Sequence, residues 1–234
     1  MRGVFVTGTG TEVGKTVVAA AIARTAAAAG ERVAVFKPAV SGLDDGGEPD
    51  HLLLRRAAGS GQSEEEIAPY RFGPSVSPHL AAELAARRID HGRMLAGARA
   101  AAEGADLLVC EGVGGFCVPL TRSHLVRDFA RELALPVVIA AGPGLGTINH
   151  TLLTLEAVRA AGLEAAAVVL TPWPDERSAL EEDNRATIAA LGAIAVEVLP
   201  RIDLGDPHSW PQVPILRASG AGAPSERRHM LRAS

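Results

Sequence analysis

One stretch near the start of the chain, Gly8-Thr9-Gly10-Thr11-Glu12-Val13-Gly14-Lys15-Thr16, constrains the fold more than any other. A short β-branched and aromatic run, Gly3 to Thr7, precedes it and reads as a buried strand. An unbroken alanine-rich run, Val13 to Ala29, follows and stops at Gly30, so it reads as a helix with both ends marked. Between them, glycines let the backbone curl so that its N–H groups point inward at phosphate oxygens. The N-terminus of the following helix adds its positive dipole end. The spacing predicts that Lys15 reaches the outer phosphates and that the Thr16 hydroxyl ligates Mg²⁺. The loop departs from the strict G-x-x-x-x-G-K-[ST] form, because Thr9 holds the first glycine's place and Gly8 lies one residue earlier.

The rest of the chain alternates strand and helix. Strands are expected at Arg32 to Lys37, Asp106 to Cys110, Pro136 to Ala141, Glu164 to Leu170 and Ile194 to Leu199. Helices are expected at Asp50 to Ala58, His79 to Arg88, Arg93 to Glu103, Leu125 to Leu133, Asn149 to Ala161 and Ser178 to Leu191. Asp106 to Cys110 is a continuous apolar run bounded by polar groups, the pattern of a strand covered on both faces. The expected fold is therefore α/β, a P-loop type, doubly wound and mainly parallel sheet with helices on both faces. Residues 1–218 read as one domain, and the Gly/Ala/Ser/Arg-rich 219–234 as a flexible tail.

Composition narrows the function. A formal charge of −4 and 3% aromatic residues argue against a nucleic-acid partner or an acidic membrane surface. Apolar runs such as Leu133 to Ala141 are far too short to cross a bilayer, and no signal peptide is apparent. Cys110 and Cys117 lack metal-ligand spacing, so a reducing, cytoplasmic setting fits. Cys110 reads as a core filler.

In doubly wound sheets, ligands sit outside the carboxyl ends of the strands. Three loops besides the phosphate loop occupy such ends: Lys37 to Gly42, Glu111 to Gly115 and Gly142 to His150. Lys37, between a strand and Pro38, is placed to stabilise charge on a transferring phosphoryl group. Its bland alternative is a solvated surface lysine. Glu111 ends a buried strand, where a carboxylate needs a partner: a metal ion, or else a salt bridge.

Taken together, these pieces resemble the dethiobiotin synthetases of biotin formation. The matching residues are Val6-Thr7-Gly8 through Thr16, Lys37-Pro38 with Ser41-Gly42, Ser77-Pro78-His79, Glu111 to Gly115, and Gly146-Thr147-Ile148-Asn149-His150. The resemblance implies a homodimeric ligase that uses Mg²⁺ and ATP. It carboxylates 7,8-diaminononanoate with CO₂ or bicarbonate and closes a cyclic urea through a carbamate and a carbamic–phosphoric anhydride. By resemblance, Lys37 is the catalytic lysine, aided by Lys15 and Thr11. Thr16, Asp50 and Glu111 are the Mg²⁺ ligands. Nucleotide contacts fall on Glu12, Val13, Gly14, Lys15, Thr16 and Val17, on Asp50, on Glu111, Gly112, Val113 and Gly114, and on Thr171, Pro172, Pro200, Arg201 and Ile202. Ser41 and Asn149 would meet the diamine substrate, Asn149 across the dimer interface.

Two departures stand out. The loop between Ser41 and Asp50 is short, which leaves Asp44 and Asp45 as rivals to Asp50. The adenine-reading Asn of many relatives is replaced by Leu170-Thr171-Pro172-Trp173-Pro174, so weak discrimination among nucleotide bases is expected. Trp173 and Trp210 are placed in Pro-containing loops, either to stack on a base or to cover surface. His79 and His150 belong to the matching motifs without an assigned role. A ParA/MinD-type ATPase switch shares the fold, but it needs a second lysine where this chain has Gly10. A small-molecule kinase is the third reading, distinguished by a stable phosphorylated product.

Overall fold

The computed structural model describes residues 1–213, so the expected tail at 219–234 lies outside the described residues. In chain order the elements are β1 (Gly3–Gly8), α1 (Lys15–Ala28), β2 (Val33–Phe36), α2 (Asp50–Ala58), α3 (Glu64–Ile67), α4 (Pro78–Leu84), α5 (His91–Ala102) and β3 (Leu107–Glu111). They continue with β4 (Pro119–Thr121), β5 (His124–Leu125), α6 (Val126–Leu133), β6 (Val137–Ala141), α7 (Thr147–Ala160), β7 (Ala165–Trp173), α8 (Ala179–Gly192) and β8 (Val196–Pro200). Six strands form one parallel sheet in the order β2-β3-β1-β6-β7-β8, and β4 and β5 make a separate hairpin. This is the P-loop type α/β sheet that the alternation of elements predicts.

Each central strand feeds two cores because side chains alternate across the sheet. Val4 and Val6 face α1 and α2, with Val109, Val138 and Val169 beside them. Phe5 points the other way, to Phe36 and Phe129. All three Phe side chains are fully buried, worth roughly 1.5–3 kcal/mol apiece. The run Val18 to Ala23 in α1 has no exposed surface at all. α1 lies between the sheet and α2, and a helix covered on both sides at close range needs alanine-sized side chains.

Several expected boundaries shift. α4 ends at Leu84 rather than Arg88, because Ala86 takes a left-handed φ of 49° and the Arg87 N–H returns to the Ala82 carbonyl. Arg87 then lies over the rings of Tyr70 and Phe72. α7 starts at Thr147, not Asn149, with Gly146 as its cap. β7 runs on through Trp173, so Thr171 and Pro172 belong to the strand. Pro172 lies beyond Leu170, where pairing with β6 ends, and its missing N–H therefore leaves no gap in that ladder. The two tryptophans are not surface covers. Trp173 packs in the Phe5 core, and Trp210 packs in the α1 core with its indole N–H on the Asp203 carbonyl.

β2 is an outer strand of the sheet, and its free side is sealed. The Gln62 side chain accepts from the Val35 N–H at 2.9 Å and donates to the Val35 carbonyl at 3.1 Å. The Lys37 N–H reaches the Ile67 carbonyl at 2.8 Å.

Candidate active site

The sheet order brings the carboxyl ends of β2, β3 and β1 side by side. Phe36 pairs with Cys110 and Val6 with Glu111, so Lys37, Glu111 and the start of the phosphate loop emerge at one level. The loop returns through Gly14 into α1. Gly14 has φ 82°, and a Cβ there would sit 2.5 Å from the Thr171 methyl, so only glycine fits. Gly112 is also needed for space: a Cβ would lie 3.0–3.3 Å from Val126 and Phe5.

Lys37 and Glu111 are 3% and 0% exposed. The Lys37 ammonium donates to Glu111 Oε1 and to Asp50 Oδ2, each at 2.6 Å. The Thr16 hydroxyl donates to the same Glu111 oxygen at 2.9 Å. Asp50 is the first residue of α2 and reaches in from outside the sheet because α2 packs on α1. The Lys15 ammonium lies across the loop and donates to the Gly10 carbonyl at 2.7 Å. Two lysines, two carboxylates and a threonine hydroxyl thus surround the mouth of the loop.

Electrostatics follow from this crowding. Burial works against the Lys37 charge, but Glu111 and Asp50 outweigh it and hold the lysine pKa above its ordinary value. Burial pushes Glu111 up, with Lys37 pulling the other way. Asp50 is partly desolvated, yet Lys37 holds its carboxyl below the usual range. Burial, with Lys37 nearby, lowers Lys15 against the pull of Glu111. The surface-lysine alternative for Lys37 is therefore excluded by its burial.

The residues present fit a magnesium ion. Glu111 Oε2 is buried and has no hydrogen-bond partner among the described residues, and Thr16 and Asp50 complete a set of hard oxygen donors around it. Among the described residues no group of three His, Cys, Asp or Glu forms a closed metal cage. An ion here would keep positions for phosphate oxygens. Asp44 and Asp45 are turned elsewhere: both are exposed, and Asp45 bonds the Ser75 hydroxyl.

A cleft of about 590 Å³ opens over this cluster. Thr11, Glu12, Gly14, Lys15, Thr16 and Val17 form one side, with Val113 and Gly114 next to them. Ser41 and the segment Ser75 to Pro78 form the other, together with Val118. Val13 packs beneath the loop against the α1 core. Thr171 abuts Gly14, and Pro200 pairs with Trp173, so Pro172 and Pro200 to Ile202 lie on the β7–β8 side, away from Lys37. Asn149 and His150 are exposed in the first turn of α7 and do not line the cleft.

Sequence reasoning left the wall Ser75 to Pro78 out of the site. Its signal was the Ser77-Pro78-His79 motif, which carries no chemistry until the chain brings it opposite the phosphate loop.

A family model described as an AAA domain matches residues 2–211. The chain is 44% identical over 191 residues to the ATP-dependent dethiobiotin synthetase BioD of Anaeromyxobacter dehalogenans (strain 2CP-1), covering 82% of this chain and 86% of that protein. It is 38% identical to the protein of the same name from Bacillus cereus (strain ATCC 14579), covering 84% and 81%. It is 37% identical to that of Bacillus thuringiensis (strain Al Hakam), with the same coverage.

Proposed function

From the premise that this chain belongs to the ATP-dependent dethiobiotin synthetases, we propose that it closes the cyclic urea of dethiobiotin on 7,8-diaminononanoate, using CO₂ and a nucleoside triphosphate. It is an ATP-dependent ligase of biotin synthesis. The observation that best supports the mechanism is the buried ammonium of Lys37, fixed between Glu111 and Asp50 at the end of the phosphate loop.

Phosphoryl transfer is governed by positioning and charge rather than by covalent chemistry on the protein. The loop N–H groups and Lys15 hold the triphosphate. Lys37, charged at any physiological pH, sits where a carbamate oxygen and the terminal phosphate must meet, and it offsets the repulsion between them. A Mg²⁺ ion held by Thr16, Asp50 and Glu111 would neutralise phosphate oxygens. Thr11 and Ser41 lie on opposite sides of the cleft and would orient the diamine between them. The carbamate oxygen attacks the terminal phosphorus and the nucleoside diphosphate leaves. The second amine then attacks the activated carbonyl and expels phosphate.

The substrate carboxylate would be received at the first turn of α7 near Asn149. That turn is exposed and lies outside its own cleft, which supports a homodimer in which α7 serves the partner's site. Leu145 and Leu153, 91% and 57% exposed on either side of Asn149, suit such an interface. On the β7–β8 side, Thr171, Pro172 and Pro200 to Ile202 would line the base. No helix among the described residues is long and apolar enough to cross a membrane, and we place the enzyme in the cytoplasm.

The test is incubation with the diamine, ¹³C-bicarbonate, Mg²⁺ and ATP, followed by mass analysis. Labelled carbon in a cyclic urea, with one phosphate released per ring, is the expected result. A stable phosphorylated organic product, or phosphate release that ignores the diamine, would refute the reading.

A further inference from the structure

Ring closure is a deprotonation problem as much as a phosphoryl transfer. Both substrate nitrogens enter as ammonium groups at neutral pH, and each must lose two protons before it is a urea nitrogen. One of these protons ends on the released phosphate and the rest must reach solvent. The charged groups at the phosphate end do not suit that task. Lys37 is held protonated by Glu111 and Asp50, and Lys15 is bonded to the loop itself.

The opposite wall holds a pair that does suit it. Ser77 lines the cleft and occupies the N-cap position of α4. A serine there ordinarily accepts from a backbone N–H of the first turn, but its hydroxyl makes no such bond. It is hydrogen-bonded instead to Nδ1 of His79 at 2.9 Å. His79 in turn lines a second, outward-facing pocket of about 380 Å³. The imidazole therefore stands between the reaction cleft, which it reaches through Ser77, and an outer opening to water. Loop contacts steady the arrangement: the Ser75 hydroxyl bonds Asp45, and the Gly42 N–H bonds the Pro74 carbonyl at 3.1 Å. The charged and titratable groups around His79 are Glu83 one turn on, its ion-pair partner Arg122, and Arg87, Arg88 and His91 on the rim of the outer pocket. Glu83 is engaged by Arg122, which holds its carboxyl below the usual carboxylate range.

Resting on the ligase reading above, we propose that Ser77 and His79 form the proton exit for the substrate amine. The Ser77 hydroxyl takes a proton from the ammonium group as it gives its own to His79 Nδ1. The freed amine lone pair forms the new N–C bond to CO₂. The imidazolium then loses a proton to water in the outer pocket. No redox partner or further reactant is required, and the relay carries the one proton whose loss frees the amine lone pair. His79 acts through Ser77 and does not touch the substrate.

The experiment compares wild type, His79→Asn, His79→Ala and Ser77→Ala in cyclic-urea formation from about pH 6 to 9. Asparagine keeps a hydrogen-bonding group where Nδ1 stands, so it preserves a purely structural contact but cannot carry a proton. We expect His79→Asn to lose about a hundredfold in kcat near neutral pH and to recover toward wild type as pH rises, with nucleotide affinity unchanged. Ser77→Ala follows the same profile, and added imidazole restores part of the activity of His79→Ala. A His79→Asn enzyme within about threefold of wild type at every pH would overturn the relay while leaving the ligase reading intact. Failure of wild type to make the cyclic urea would remove both.

Discussion

The Lys37–Glu111 pair allows a stability prediction whose size follows from the geometry. Replacing Lys37 with Met removes the ammonium and leaves Glu111, with no exposed surface, holding only the Thr16 hydroxyl on Oε1 and nothing on Oε2. Breaking a buried pair in this way costs about 3–5 kcal/mol when the remaining charge cannot escape. Glu111 has one escape, which is to take up a proton. At pH 7, protonating a carboxyl of ordinary pKa 4.5 costs about 3.4 kcal/mol, so the penalty levels off near that value. At pH 5 the same escape costs under about 1 kcal/mol. Burial without a partner raises the folded-state pKa of Glu111 above its unfolded value. Its contribution to stability is then intact below pH 4.5 and is lost as pH rises toward the folded value. Lys37→Met should therefore be about 3 kcal/mol less stable than wild type at pH 7, with most of the deficit gone at pH 5. The double variant Lys37→Met/Glu111→Gln removes both members of the fully buried pair and should recover to within about 1 kcal/mol at pH 7. Urea unfolding at both pH values, with unchanged m, measures each difference. A deficit equal at pH 5 and pH 7, or a double variant no more stable than the single, would show that the pair is not desolvated as described.

Three further outcomes follow from the site. Gly14→Ala should lose about 1–2 kcal/mol from the left-handed backbone alone, and trimming Thr171 to Ser should return part of any further loss, read by thermal unfolding. Asp50→Ala should raise the Mg²⁺ concentration needed for half-maximal turnover at least about tenfold, while Asp44→Ala and Asp45→Ala leave it unaltered; the reverse pattern would exchange their roles. ATP, CTP and GTP should support turnover within about an order of magnitude of one another, because Thr171 and Pro172 offer no side-chain amide to read a base; a hundredfold preference for ATP would contradict this.

Much of the architecture was legible because it rests on local chemistry. Two-sided strands announce themselves as unbroken apolar runs, and the phosphate loop carries its own glycines and its lysine. Lys37 and Glu111 were legible as strand-end residues, yet their mutual 2.6 Å contact was not, since 74 residues separate them and only the order β2-β3-β1 makes them neighbours. Asp50 could not be separated from Asp44 and Asp45 on sequence alone, because the docking of α2 on α1 decides which carboxylate faces inward. The end of α4 was missed because its left-handed turn is made by Ala86, where a glycine would have signalled it. The helix expected from Asn149 begins two residues earlier, because its cap is Gly146. The tryptophans were misplaced because flanking prolines suggest exposed loops, while burial of an indole is set by distant partners.

The seal on β2 bears on how copies of this protein meet. An outer strand with unspent N–H and C=O groups is a template on which another chain can lengthen the sheet, with aggregation as the usual hazard. Here one glutamine amide occupies both free groups of Val35, and a carbonyl from the following helix takes the next N–H. Recruitment of a foreign segment along that border is thereby discouraged. On that side of the molecule, encounters are left to the helical faces, where side chains and not backbone decide who may bind.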